Sequence, residues 1–187
     1  PRYMYTFHFH AMSTAVTSTY LEQTKLFLST LKSVNILLRP YPGNGHKTYL
    51  AERLKEGNFK VTYDNHESPF NKVLSECKLF VSDHLTTTWL ESLAMNKPTI
   101  VFTSKEYTCW RAEALVYVKE LRDAKILFFD PKEAAQHLDE VESNIDKWWK
   151  SRNVQAARTK FVQKYAYTDS NWSDIWVKKF NNILEKD

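Results

Sequence analysis

The sequence predicts an α/β domain whose parallel sheet is covered by helices on both faces. Short apolar, partly β-branched runs alternate with helical segments along most of the 187 residues, and strands joined by helical crossovers imply a parallel, doubly covered sheet. Two of those runs, 79–81 and 99–102, are apolar at successive positions, as strands buried on both faces are.

Taken in order, residues 1–9 place Tyr3, Tyr5, Phe7 and Phe9 on one side of a first strand. His8 and His10 share a strand face, but no carboxylate or third histidine lies nearby, so they read as a polar face and no metal is expected. Residues 20–32 form a helix with Leu21, Leu28 and Leu31 in its apolar set, and 35–38 a second strand. That strand runs into Arg39-Pro40-Tyr41-Pro42-Gly43-Asn44-Gly45-His46-Lys47, which lacks the glycine spacing of a phosphate-binding or dinucleotide-binding loop. Arg39 leaves a buried strand at its carboxyl end, where a guanidinium suits a diphosphate or carboxylate; the alternative is structural pairing with an acid of the sheet edge.

A helix over 46–56 stops at Gly57, a strand covers 60–63, and a short helix covers 69–77. Residues 79–102 then read as strand, polar turn, helix, turn, strand. Trp89, Leu90, Leu93, Ala94 and Met95 fall on one helical face, and Asn96-Lys97-Pro98 ends the helix because the residue before proline avoids the helical region. The polar turn Ser82-Asp83-His84-Leu85-Thr86-Thr87-Thr88 lies at the carboxyl end of a strand and the amino end of a helix, where open α/β sheets bind ligands. Backbone N–H groups and the positive end of the helix dipole favour an anion there, and the hydroxyls of Thr86, Thr87 and Thr88 supplement them. The competing reading is a capping box, Thr88-x-x-Glu91.

After a polar, aromatic loop over 103–111, a helix runs through Leu121 and a sixth strand covers 125–129. The last third is helical, over 131–150 with Pro131 in a first turn, then 154–164 and 172–184. Residues 147–164 hold six basic residues and no acidic one, with Trp148, Trp149 and Phe161. Such a helix can lie on an anionic membrane, although aromatics of this kind more often pack on the domain.

The domain reading is 1–146 as the sheet domain and 147–187 as a helical tail packed on it. The net charge of +4 suits an anionic ligand or membrane surface only weakly, and no nucleic-acid motif is present. No run approaches the roughly 20 apolar residues of a membrane span. Cys77 and Cys109 are far apart and read as reduced cytosolic residues. The chain opens at Pro1 without a leader-like segment, and the expectation is that it starts inside a longer cytoplasmic protein.

Leu90-Glu91-Ser92-Leu93-Ala94-Met95-Asn96-Lys97-Pro98, within this alternation, resembles the E-A-M-A-x-G-x-P-like segment in the carboxyl-terminal, donor-binding half of GT-B glycosyltransferases. Closer still, the chain resembles the surface-carbohydrate transferases of the LIC12162 family. The likeness covers Pro1-Arg2-Tyr3, Arg39-Pro40-Tyr41-Pro42, residues 79–102, Asp146-Lys147-Trp148-Trp149, and Phe161-x-x-x-Tyr165-Ala166-x-Thr168-x-x-x-Trp172.

That resemblance implies a Rossmann-like, three-layer domain with a mostly parallel six-stranded sheet. It implies that Glu91 holds the ribose of a nucleotide-diphosphate-sugar donor, that Thr86, Thr87 and Thr88 approach the pyrophosphate or ribose, and that Arg39 and Arg111 are phosphate-side cations. The acceptor and the general base belong to the amino-terminal, acceptor-binding domain of the same protein, and no cofactor is implied. The setting is bacterial surface polysaccharide synthesis in the cytoplasm, with peripheral contact at the inner face of the membrane as a further expectation. The alternatives are a nucleotide-sugar epimerase, a CDP-glycerol-type phosphotransferase, and a non-catalytic scaffold that binds partners through the helical tail. The sequence departs from the GT-B pattern at Asn96, where glycine is common; asparagine tolerates the left-handed cap conformation.

Overall fold

A computed structural model of the protein describes residues 14–32, 35–39, 52–57, 59–106 and 108–185. In chain order it contains α1 (Thr14–Thr30), β1 (Ile36–Leu38), a helical turn at 52–55, β2 (Val61–Tyr63), α2 (Phe70–Glu76), β3 (Phe80–Ser82), α3 (Thr87–Ala94), β4 (Thr99–Phe102), α4 (Leu115–Asp123), β5 (Leu127–Phe128), α5 (Pro131–Val141), α6 (Ile145–Trp149), α7 (Arg152–Tyr165) and α8 (Trp172–Leu184). The expected strand over 1–9, with His8 and His10, and the loop residues 40–47 lie outside the described residues.

The α/β alternation is present and every strand pairing is parallel, but one continuous six-stranded sheet is not what the described residues form. They form a two-stranded sheet, β1-β2, and a three-stranded sheet, β3-β4-β5. Ile36 pairs with Val61 in the first; Phe80 pairs with Thr99 and Val101 with Leu127 in the second. Among the described residues no backbone ladder joins the two sheets. They share an apolar layer instead, in which Ile36, Leu38 and Val61 pack against the cluster that holds Ile100 and Phe102.

Side-chain alternation along β4 sorts the core into two layers. Ile100 and Phe102 face Leu21, Phe27 and Leu28 of α1 and Ala134, Ala135 and Leu138 of α5, with the Phe27 and Phe102 rings stacked at 4.9 Å. Val101 faces the other way, towards Trp89 and Leu93 of α3, Val118 and Leu121 of α4, Trp149, and Val154, Ala157 and Phe161 of α7. Helices therefore cover both faces of β3-β4-β5, as the uninterrupted burial of Thr99–Phe102 requires.

Three element boundaries depart from the sequence reading for local reasons. Lys125 adopts φ 57° and closes α4, its N–H donating to the Arg122 carbonyl and that of Ile126 to the Leu121 carbonyl, so β5 cannot begin at 125. The expected helix over 131–150 breaks at Asn144 (φ −153°, ψ 66°), whose side chain accepts from the Lys147 N–H and caps α6. Met95, placed by periodicity on the buried face of its helix, is exposed because α3 ends at Ala94. Pro131 does occupy the first turn of α5, behind Asp130, which accepts from the Lys132 N–H.

The aromatics of the basic segment turn inward. Trp149 and Phe161 are buried, and the Trp148 indole N–H donates to the Ala124 carbonyl at 3.2 Å. In α8, by contrast, no residue is buried. No helix among the described residues is long and apolar enough to cross a membrane.

His137, 4% exposed, sits between the rings of Phe128 and Trp148 at 5.6 and 4.9 Å. Burial pushes its pKa down, Glu140 opposes this from 3.5 Å, and the Lys125 charge adds to the lowering. The unfolded chain takes up a proton below about pH 6.5 while the folded one resists it, so stability falls as pH drops from there towards the folded pKa. Thermal melts between pH 7 and 5 are expected to show that fall, and His137→Phe to flatten it. An unchanged slope in the variant would refute this placement of the charge.

Candidate functional site

The site begins with the anchoring of α3 at its rear. Asn96 takes the left-handed conformation (φ 55°), its N–H donating to the Leu93 carbonyl and that of Lys97 to the Ser92 carbonyl, which satisfies two terminal acceptors of the helix. The Trp149 indole N–H lies 3.0 Å from both the backbone carbonyl and the side-chain carbonyl of Asn96. Arg158 of α7 donates to the Leu93 carbonyl at 2.9 Å, a cation at the negative end of the helix. The Ser92 hydroxyl bonds to that of Thr99, fastening α3 to β4. The helix is a fixed strut with its amino end at the carboxyl end of β3.

Among the described residues no side chain caps that amino end. Thr86 is the N-cap residue in extended backbone conformation (φ −126°, ψ −175°), and its side chain makes no capping hydrogen bond. The Thr88-x-x-Glu91 capping box does not form, because α3 starts at Thr87; Thr88 is inside the helix and Glu91 lies more than a turn from its start. The hydroxyls of Thr86 and Thr88 instead lie 2.9 Å apart. The first N–H groups of a helix have no intrahelical acceptor, so backbone donors and two hydroxyls converge there, and among the described residues no side-chain acceptor satisfies them. Thr87 and Glu91 are exposed, and among the described residues the Glu91 carboxylate has no hydrogen-bond partner.

The two arginines are placed differently. Arg39 follows β1 in the other sheet, and its guanidinium donates to Asp64 Oδ2 at 2.5 Å and to the Ser68 carbonyl at 2.9 Å. The side chains are 19% and 7% exposed, so this is the inward pairing with a sheet-edge acid. Burial opposes ionisation of Asp64, but the His66 N–H and the hydrogen bond and charge of Arg39 outweigh it and hold the carboxyl below the usual range. Arg111 ends the loop after β4, the strand beside β3, and its side chain is 86% exposed, 3.9 Å from Glu113. Thus Thr86, Thr87 and Thr88 share the amino end of α3, Glu91 lies more than a turn further along the same helix, Arg111 is on the neighbouring loop, and Arg39 is tied to the end of β2.

A cluster that the sequence reading passed over lies in the same loop. His84 Nδ1 donates to Asp83 Oδ1 at 2.5 Å, while the Thr24 hydroxyl of α1 sits 2.9 Å from Asp83 Oδ2 and equally far from the Tyr20 carbonyl. The Ser82 hydroxyl donates to the His84 carbonyl at 2.7 Å, tightening the turn. Burial alone would lower the His84 pKa, but the Asp83 charge and hydrogen bond raise it above its ordinary value. Burial likewise opposes ionisation of Asp83, but His84 and Thr24 hold its pKa down. The sequence signal was an Asp-His pair directly after a strand; its partner Thr24 is 59 residues away.

A hollow of about 520 Å³ lies elsewhere, over β1 and β2, where Lys60 is the one charged residue among the described residues that line it. Both cysteines are free thiols.

A protein-family model described as LIC12162 family transferase matches residues 1–180. No curated protein and no solved structure matches the chain.

Proposed function

The chain belongs to the LIC12162 family of transferases, and from that premise we propose that it is the donor-binding part of a glycosyltransferase, taking a nucleotide-diphosphate-sugar at the amino end of α3. The observation that carries this reading is the open helix end. A rigidly anchored helix presents uncapped N–H groups and the Thr86 and Thr88 hydroxyls at the carboxyl edge of a parallel strand.

In this reading the diphosphate lies against Thr86, Thr87, Thr88 and the first amides of α3. Glu91, one turn on and on an exposed face, accepts hydrogen bonds from the ribose hydroxyls. As the bond between the sugar and the distal phosphate oxygen breaks, negative charge grows on the leaving diphosphate. Fixed dipoles aimed at that charge stabilise the transition state more than the ground state. Arg111, exposed on the loop after β4, is the phosphate-side cation of this reading, whereas Arg39 braces the strand end by pairing with Asp64. Acceptor and general base come from the amino-terminal half of the family's fold. The product belongs to the bacterial surface polysaccharides, assembled from the cytoplasmic side.

Calorimetric titration of the chain with UDP, GDP and CDP tests this. Binding of at least one, with the preferred base indicating the donor class, is the expected outcome; no heat with any of them would count against the site. A scaffold reading is favoured by one observation, the α8 face on which Trp172, Trp176, Phe180 and Ile183 are exposed. It predicts that none of the three nucleotides binds.

A further inference from the structure

We propose that His84, oriented by Asp83 and Thr24, is the phosphate-facing cation of the donor site and that its Nε2–H donates to the leaving phosphate. The inference rests on the diphosphate reading above and goes beyond it, because neither the family match nor the threonine turn assigns a role to this residue.

Position is the first argument. His84 stands two residues before Thr86, the N-cap of α3, in the loop at the carboxyl end of β3. The loop that carries His84 is therefore continuous with the helix end that would hold the anion.

Orientation is the second. A carboxylate only accepts, so the 2.5 Å contact fixes a proton of His84 on Nδ1 and leaves Nε2 as the nitrogen not engaged by Asp83. Asp83 is held in turn by Thr24, and the Tyr20 ring lies 5.8 Å from the imidazole in a tilted arrangement. The His84 side chain remains 31% exposed. Among the described residues its Nε2 has no hydrogen-bond partner, and the titratable groups that face the ring are Asp83 on its own loop and Tyr20 on α1.

Charge is the third. Of the two arginines expected to neutralise the diphosphate, Arg39 is engaged with Asp64 and Ser68, and Arg111 extends into solvent. A diphosphate at the α3 end would otherwise meet no fixed cation within this loop. Burial opposes the charge, but the Asp83 carboxylate and its hydrogen bond outweigh burial and shift His84 towards the imidazolium, the form in which both ring nitrogens donate. No covalent step is assigned to it. Asp83 acts through His84 and is a positioning residue.

The test uses inorganic pyrophosphate as the probe. The wild-type chain, His84→Gln, Asp83→Asn and Thr88→Val are titrated between pH 6 and 9, and affinities are compared as ratios, in which the titration of the probe cancels. Wild type is expected to bind about tenfold or more tightly than His84→Gln at pH 6, as loss of a charge-assisted hydrogen bond implies, with the ratio falling towards unity by pH 9. Asp83→Asn should lose affinity at neutral pH and regain it towards pH 6, a rescue that a purely structural role would not give. In the wild-type protein, saturating pyrophosphate should raise the His84 pKa further, read from imidazole NMR signals, so the result does not depend on how a variant folds.

An unmoved His84 pKa, or a ratio near one at every pH while Thr88→Val still weakens binding, overturns the inference and leaves the nucleotide reading standing. His84-dependent binding of pyrophosphate that UDP, GDP and CDP do not improve on supports the inference and counts against the nucleotide reading. Absence of pyrophosphate binding overturns the inference, and absence of binding by UDP, GDP and CDP as well overturns the nucleotide reading.

Discussion

Trp149→Ala is expected to lower the free energy of unfolding by about 3–5 kcal/mol, the usual cost of truncating a buried aromatic side chain. Trp149 is 3% exposed and belongs to the core layer that joins β4 to α3, α4 and α7. Its indole also contacts Trp148 at 5.3 Å between ring centroids. The substitution further removes the donor shared by the two Asn96 oxygens, the residue whose left-handed conformation terminates α3. Trp149→Phe keeps most of the packing and loses the N–H, so it should cost less, on the order of 1–2 kcal/mol. Small domains have only about 5–15 kcal/mol in total, so the alanine variant should sit close to unfolding at room temperature. Urea denaturation followed by tryptophan fluorescence and circular dichroism measures both. A loss under about 1 kcal/mol for the alanine variant would mean that α3 is not held from its rear in the way described.

Glu91→Ala is expected to weaken nucleotide diphosphate binding by about 10–100-fold while leaving the fold intact. Two ribose hydroxyls donating to one carboxylate form charge-assisted hydrogen bonds, and losing such bonds costs about 1.5–3 kcal/mol. The fold should not notice, since Glu91 is exposed and surface substitutions of this kind stay within about 0.5 kcal/mol. Pyrophosphate, which has no ribose, should bind the variant as it binds wild type. That contrast separates a ribose contact from a general loss of the site. Undiminished nucleotide affinity in Glu91→Ala would remove Glu91 from the site.

The strand-helix-strand unit around α3 was legible in the sequence because its signals are local. The Pro98 stop, the apolar face with Trp89 and Leu93, and the buried run Thr99–Phe102 each act within a few residues. The Asn96 cap was legible for the same reason. The start of α3 was read two residues late: three successive threonines offer equivalent caps, and only the backbone angles of Thr86 choose among them. The pairing of Arg39 with Asp64 was open as an alternative, but a choice between an acid 25 residues away and a ligand depends on the approach of β1 and β2, which no local pattern encodes.

Of the Thr24–Asp83–His84 chain only the adjacent Asp-His pair was visible in the sequence, and its partner Thr24 was not. The full arrangement needs α1 laid against the loop after β3, and the threonine that completes it is one of several on that helix. The division into two sheets was hidden as well, because strand-like runs in sequence say that strands exist, not which edges hydrogen-bond.

The central claim, that the amino end of α3 takes the diphosphate, is tested most directly by following backbone amide NMR signals during titration with UDP, GDP, CDP and pyrophosphate. The account predicts that the amides of Thr87, Thr88 and Trp89 move furthest and with a common saturation curve, because they donate to the anion. Saturable shifts confined to other elements, with these three amides unmoved, would contradict it.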